Sequence, residues 1–255
     1  MQTPTLLAAT FAALAAFATP HHTFAAADRT AESSETAAET DNRLTAEEQA
    51  AGWKLLWNGK DSTGWRSVRG KKFPKSGWEM KNGILTILAQ SKAGDIITEK
   101  RYTSFELTLD FLITPKANSG IKYFAQTGLN SQMGIGLEYQ ILDDKLNPDA
   151  KKNKGTHTLA ALYDLIAPPA DKPSVSPGSW HNARLVVNGG KVEHYLDGVK
   201  TVEYDRHSDA FRALVQKSKY KNYKQFGEWP DGHILLQDHN DRVSFKNIKL
   251  REIGK

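Results

Sequence analysis

The chain is 255 residues long, contains no cysteine and carries a formal net charge of +5. Without cysteine it can form neither a disulfide, nor a zinc–thiolate centre, nor a lipobox anchor. The excess charge does not mark a nucleic-acid binder, because lysines gather in two loop-like stretches, Lys145–Lys154 and Lys217–Lys224, with no recognition motif beside them; solvated basic loops are the expectation.

In chain order, the first feature is an apolar run from Leu6 to Phe17, too short to span a bilayer and followed by Ala25-Ala26-Ala27. No Lys or Arg precedes it, yet the pattern reads as a signal peptide over residues 1–27, cut before Asp28. Export to the periplasm or the medium is expected, with no membrane insertion after cleavage. Residues 28–44 are polar and acidic, with almost nothing to bury, and read as a disordered spacer. Residues 45–255 then form one large all-β domain. Thr45-Ala46-Glu47-Glu48 has capping-box spacing and predicts a short leading helix.

Strands follow. Gly83–Leu88 comes after the turn signal Lys81-Asn82-Gly83, and Ser104–Phe111 alternates so that Phe105, Leu107, Leu109 and Phe111 face a core. Gly120–Ala125, Gly136–Leu142, His181–Val187, Lys191–Leu196, Val199–Tyr204, His233–Asp238 and Val243–Leu250 continue the pattern. Asn188-Gly189-Gly190 and Asp197-Gly198 supply hairpin turns. One internal helix is expected within Ser208–Lys219. This content predicts an all-β, concanavalin-like jelly-roll sandwich of two antiparallel sheets with few short helices. Two long irregular segments, Asp143–Gly155 and Ile166–Gly178, are candidate walls of a site.

Within Leu137–Leu142 the apolar residues Leu137, Tyr139 and Ile141 serve the core, which puts Glu138 and Gln140 together on the opposite face. A carboxylate beside an amide suits sugar hydroxyls, although a solvated strand face has the same pattern. His194 alternates with Val192 and Leu196 and therefore points to an apolar side, as a core histidine or a catalytic one. His239 shares a face with Gln237 in a turn rich in hydrogen-bonding groups. His157, His181 and His207 read as surface or loop residues. The serine-elbow, zincin and phosphate-loop motifs are all missing. Asp143, Asp144, Asn147 and Asp149 have calcium-like oxygen density without the spacing of a calcium loop, so no cofactor is expected and a divalent metal is the lesser alternative. Most of the six tryptophans are expected to pack at sheet ends, with one or two left to stack on a sugar.

The blocks Gly52-Trp53-Lys54-Leu55-Leu56-Trp57-Asn58-Gly59-Lys60-Asp61 through Gly64-Trp65, Ile97–Lys100, Asn118–Ile121, Glu138–Asp143, Ala161-Leu162-Tyr163, Glu193–Lys200 and His233–His239 resemble, in order and spacing, the bacterial 3-keto-disaccharide hydrolase domain family. The resemblance covers residues 52–252. Asn240 and Ala160 depart from it where glycines are common, and both departures are read as changes of a loop. The resemblance implies a concanavalin-like fold, export, and cleavage of glycosides already oxidised at carbon 3 by a partner sugar oxidoreductase. Such chemistry needs a base for the carbon-2 proton, an acid for the leaving oxygen and donors to the enolate. Glu138 or His194 is the expected base and His239 the acid, with Lys122 and Gln237 as donors. Asn118, Gln140, Asp143 and Tyr163 are expected to hold the sugar. Three alternatives stay open: a non-catalytic carbohydrate-binding module of the same fold, a two-carboxylate glycosidase, and a structural domain.

Overall fold

A computed structural model of the chain describes residues 1, 41–129 and 134–254. Apart from Met1, the expected signal peptide lies outside the described residues, as do residues 28–40 of the expected spacer. The spacer does not extend to residue 44. The Asn42 amide donates to Asn247 Oδ1 at 2.6 Å, the Asn247 amide returns a bond to Asn42 Oδ1 at 2.9 Å, and Asn247 Nδ2 donates to Asp41 Oδ1 at 3.1 Å. Reciprocal side-chain bonds of this kind satisfy backbone groups that no strand partner reaches.

Thr45 caps helix α1 (Ala46–Ala50), with the reciprocal Glu48 bond of a capping box. The strands are β1 (Lys54–Leu55), β2 (Trp65–Ser67), β3 (Trp78–Lys81), β4 (Ile84–Ile87), β5 (Ile96–Thr98), β6 (Phe105–Ile113), β7 (Asn118–Gln126), β8 (Ile135–Leu142), β9 (Trp180–Asn188), β10 (Lys191–Leu196), β11 (Val199–Asp205), β12 (His233–Leu236) and β13 (Val243–Glu252); helix α2 (Asp209–Gln216) lies between β11 and β12. They form an eight-stranded sheet, β11-β10-β9-β6-β13-β4-β3 with β1 beside β13, and a five-stranded sheet, β2-β5-β12-β7-β8. Every strand pairing is antiparallel. This is the expected jelly-roll sandwich. The expected strands are all present, with ends shifted by a few residues.

The core lies between the sheets. Phe105, Leu107, Leu109 and Phe111 of β6 are buried there with Tyr123, Tyr139 and Ile141 of the smaller sheet. The even-numbered residues of β6 point away. Glu106 accepts from Arg184 Nε at 2.6 Å and Arg251 Nε at 2.8 Å on that outer face.

A bulge interrupts β7. Its register against β8 slips between Tyr123 and Gln126, and Phe124 takes a left-handed φ of 50°. Glycines flank the bulge on both sides. A Cβ on Gly136 of β8 would lie 2.8 Å from the Tyr123 carbonyl, and one on Gly232, just before β12, 2.2 Å from the Phe124 backbone. Only glycine lets the neighbouring strands approach so closely. The bulge thus sits one turn of the pleat beyond Lys122.

Candidate functional site

The site is built on the outer face of the five-stranded sheet. Strand periodicity brings Asn118, Gly120 and Lys122 of β7 to that face, opposite Leu142, Gln140 and Glu138 of β8. On the other flank of β7 the Gln237 amide donates to the Gly120 carbonyl at 2.9 Å, which carries the same face past the end of β12. Together these side chains form the floor of a cavity of about 250 Å³.

Gly120 is what lets the floor close. A Cβ there would lie 2.8 Å from Glu138 Oε1, so the Glu138 carboxylate occupies the space a side chain would fill. Glu138 is 4% exposed, and Lys122, also 4% exposed, brings Nζ to 3.8 Å from Glu138 Oε2 and donates to the Gly134 carbonyl at 3.3 Å. With its amide oriented to satisfy its neighbours, Gln140 donates to Glu138 Oε1 at 3.1 Å and to the Ser119 carbonyl at 3.2 Å. Gln237 differs. Its Oε1 is buried without a hydrogen-bond partner among the described residues. An orphaned acceptor is costly in an apolar setting and is satisfied when a ligand brings a donor. Beneath this edge Asp95 Oδ1 accepts from the Asp238 amide at 3.0 Å, and burial raises the Asp95 carboxyl above its ordinary pKa against the lowering influence of Lys122.

Tyr163, Lys219, Tyr220 and Tyr223 form the walls, and His239 stands exposed at the rim. The Tyr163 ring stacks on His157 with centroids 4.1 Å apart, and its hydroxyl donates to Asp149 Oδ2 at 3.2 Å. Burial holds that phenol above the usual tyrosine range, so it donates as a neutral hydroxyl. His157 bridges two carboxylates, with Nδ1 3.0 Å from Asp149 Oδ2 and Nε2 3.1 Å from Asp164 Oδ1. Asp164 Oδ2 in turn accepts the Lys219 amide at 3.0 Å, which joins the two wall segments. Tyr220 stacks on Phe226 at 3.9 Å.

A buried carboxylate beside an ammonium, an unpaired acceptor and three tyrosines around one concavity resemble a polyhydroxylated-ligand site more than a solvated sheet face. The sequence family agrees. A family model described as the 3-keto-alpha-glucoside-1,2-lyase-like domain matches residues 52–251. The chain belongs to this family. A relative from Bacteroides thetaiotaomicron named 3-keto-disaccharide hydrolase is 30% identical over 244 residues, covering 84% of this chain and 83% of its own. Two solved structures from Parabacteroides distasonis ATCC 8503, both provisionally named glycosyl hydrolases, share the fold. One has a TM-score of 0.76 at 31% identity, covering 84% of this chain and 100% of its own. The other has a TM-score of 0.58 at 25% identity, covering 74% and 99%. The region matched by the lyase-like family contains every residue that lines the cavity.

Of the residues singled out from sequence, Asn118, Lys122, Glu138, Gln140, Tyr163, Gln237 and His239 come together in the cavity. Two do not. His194 is fully buried in the core, its Nε2 2.8 Å from the Tyr123 hydroxyl, and burial drives its pKa from 6.5 down to about 3. An imidazole sealed between the sheets can reach no sugar, which removes it as the alternative base. Asp143 folds its own turn, accepting the amides of Lys116 at 2.8 Å, Lys145 at 3.0 Å and Leu146 at 3.2 Å, and does not line the cavity. The oxygens of the suggested calcium-like cluster are likewise engaged. Asp144 pairs with Lys172 at 2.8 Å, Asp149 with His157 and Lys152, and the described residues contain no group of three or more His, Cys, Asp or Glu arranged for a metal.

Lys219, Tyr220 and Tyr223 were not foreseen, since Lys217–Lys224 reads as a solvated loop. The interleaved tyrosines were the available signal. Neither of the two segments expected as walls, Asp143–Gly155 and Ile166–Gly178, lines the cavity; Tyr163, between them, does. No tryptophan lines the cavity among the described residues; its aromatic lining is Tyr163, Tyr220 and Tyr223.

Proposed function

We propose that the chain cleaves glycosides carrying a ketone at carbon 3, by elimination across carbons 1 and 2 followed by addition of water. The reading is supported by membership of the lyase-like family and by the name of the Bacteroides relative. The single observation that carries it is the Glu138 carboxylate, buried beside Lys122 in a sugar-sized cavity with room above it.

A ketone at carbon 3 acidifies the hydrogen on carbon 2. Glu138 takes that proton and the electron pair is held as an enolate on the carbon-3 oxygen; its collapse restores the ketone, forms the double bond between carbons 1 and 2 and breaks the bond from carbon 1 to the glycosidic oxygen. His239, at the open rim, gives the departing oxygen its proton. Water then adds at carbon 1 and a proton returns to carbon 2. Gln140 orients the Glu138 carboxylate through the 3.1 Å bond, and Gln237 Oε1 accepts a sugar hydroxyl. Tyr163, Tyr220 and Tyr223 supply ring faces and hydroxyls for the sugar.

Glu138→Gln tests this. Turnover of a 3-keto-glycoside should fall by about 10²–10⁴-fold with unchanged melting, and near-normal turnover would remove Glu138 from the role. In deuterated water the wild-type product should carry label at carbon 2; unlabelled product would favour direct hydrolysis. Saturable sugar binding without any product would instead make the chain a binding module.

The substrate's ketone must come from an oxidoreductase acting at carbon 3 of the sugar. The same reading includes export to the periplasm or medium, motivated by the apolar run Leu6–Phe17 and Ala25-Ala26-Ala27. Mature protein from the exporting cell should begin at Asp28; an intact amino terminus on cytosolic protein would refute export. No helix among the described residues is long and apolar enough to cross a membrane.

A further inference from the structure

The cavity holds two ammonium groups in different circumstances. Lys122 already has acceptors, the Gly134 carbonyl at 3.3 Å and Glu138 at 3.8 Å. Lys219 lies over aromatic faces, with Nζ 4.1 Å from the Tyr163 centroid and 5.1 Å from that of Tyr220. Among the described residues its ammonium has neither a hydrogen bond nor an ion pair. Ring faces steady a cation electrostatically but leave its N–H groups available for a lone pair.

The position is also fixed. The Lys219 amide donates to Asp164 Oδ2 at 3.0 Å, the Tyr220 amide donates to Ser218 Oγ at 3.0 Å, and the Tyr220 ring is held against Phe226. Lys219 counts as exposed when the whole residue is taken together, but the protein packed around its ammonium lowers its pKa from the ordinary lysine value by desolvation, with Glu138 pulling the other way. A desolvated donor group fixed before the reaction is what stabilises charge that appears only in the transition state.

When carbon 2 loses its proton, the negative charge moves onto the carbon-3 oxygen. Lys122 sits at the base, so the other end of this charge needs its own donor. From the vacant donors and the anchored main chain we infer that Lys219 donates to the carbon-3 oxygen as the enolate forms, and so makes the site selective for oxidised over unoxidised sugars. The inference rests on the 3-keto reading above. It departs from the sequence expectation in assigning the enolate to a residue of the tyrosine-rich loop and not to Lys122 or Gln237.

Kinetics of Lys219→Met on a 3-keto-glycoside test it. We expect kcat and the rate of solvent-deuterium entry at carbon 2 to fall together by about 10²–10³-fold, with a smaller rise in KM and part of the rate kept by Lys219→Arg. Values of both rates within about twofold of wild type would overturn the role. Affinities measured in the Glu138→Gln background provide a second readout that needs no turnover. There, Lys219→Met should narrow the preference for the 3-keto-glycoside over its unoxidised parent, and an unaltered preference would also overturn the role. Wild-type protein with no turnover of any 3-keto-glycoside would sink the broader functional reading, and this inference with it, before any variant is compared.

Discussion

Gly120 has no side chain to offer, yet its place in β7 decides where the Glu138 carboxylate lies. Gly120→Ala would put a methyl 2.8 Å from Glu138 Oε1 and 3.1 Å from its Cγ. The carboxylate end can yield where backbone could not, so the expected outcome is a roughly 10–100-fold loss of kcat with nearly unchanged thermal melting. A large drop in melting temperature would show that the strand pair had been disturbed instead. His194 makes the opposite case, a titratable group with a structural role. Its folded pKa, about 3, lies below the ordinary 6.5, so the unfolded chain binds a proton that the folded chain refuses. That contribution to stability is complete above about pH 6.5 and is lost as pH falls toward 3. Urea midpoints should therefore decline on acidification less steeply in His194→Gln than in wild type. Parallel declines would assign the acid sensitivity to other groups. The alternation of Val192, His194 and Leu196 already pointed this histidine to the apolar side. What sequence could not show was that the side is sealed, because Tyr123 and Tyr139 come from distant strands.

At the scale of elements, long strands were legible, and of the short ones only β4 and β12, each next to a turn signal or in a clear apolar run, were. β6, β8 and β10 alternate over six residues or more, enough for a period of two to stand out, and Glu138 and Gln140 were placed on their face by that period alone. β1, β2, β3 and β5 have two to four residues and owe their conformation to the partners they meet. The wall segment after α2 was hidden for a related reason. Its fold depends on Arg206, at the end of β11, which donates through Nη1 to the carbonyls of Gly227 at 2.7 Å and Trp229 at 3.0 Å while its guanidinium lies 4.0 Å from the Phe124 ring. Nothing local in Lys217–Lys224 announces an anchor on another strand. Arg206→Met keeps much of the packing but strands those carbonyls, at a cost of about 1–3 kcal/mol. Limited trypsin digestion should then cut first within Lys217–Lys224, and KM should rise. Unchanged digestion of that segment would show that Tyr220 and Phe226 hold it unaided.

Across the whole molecule the two sheets divide the work. The eight-stranded sheet turns outward a face with paired charges, Glu106 lying between Arg184 and Arg251. The five-stranded sheet turns outward the cavity. Fold class and much of the cavity floor were legible because both follow from strand periodicity. The walls were not, since they depend on how loops fold back over a completed sheet. The Asn42–Asn247 clasp lies on the back of the larger sheet, where Asn247 Nδ2 also donates to Asp110 Oδ2 at 2.7 Å. The thickness of the sandwich therefore separates the point where the chain enters from the mouth of the cavity. A bead coupled through a cysteine placed at Asp41 would sit behind the larger sheet and leave the open side of the molecule facing the passing liquid.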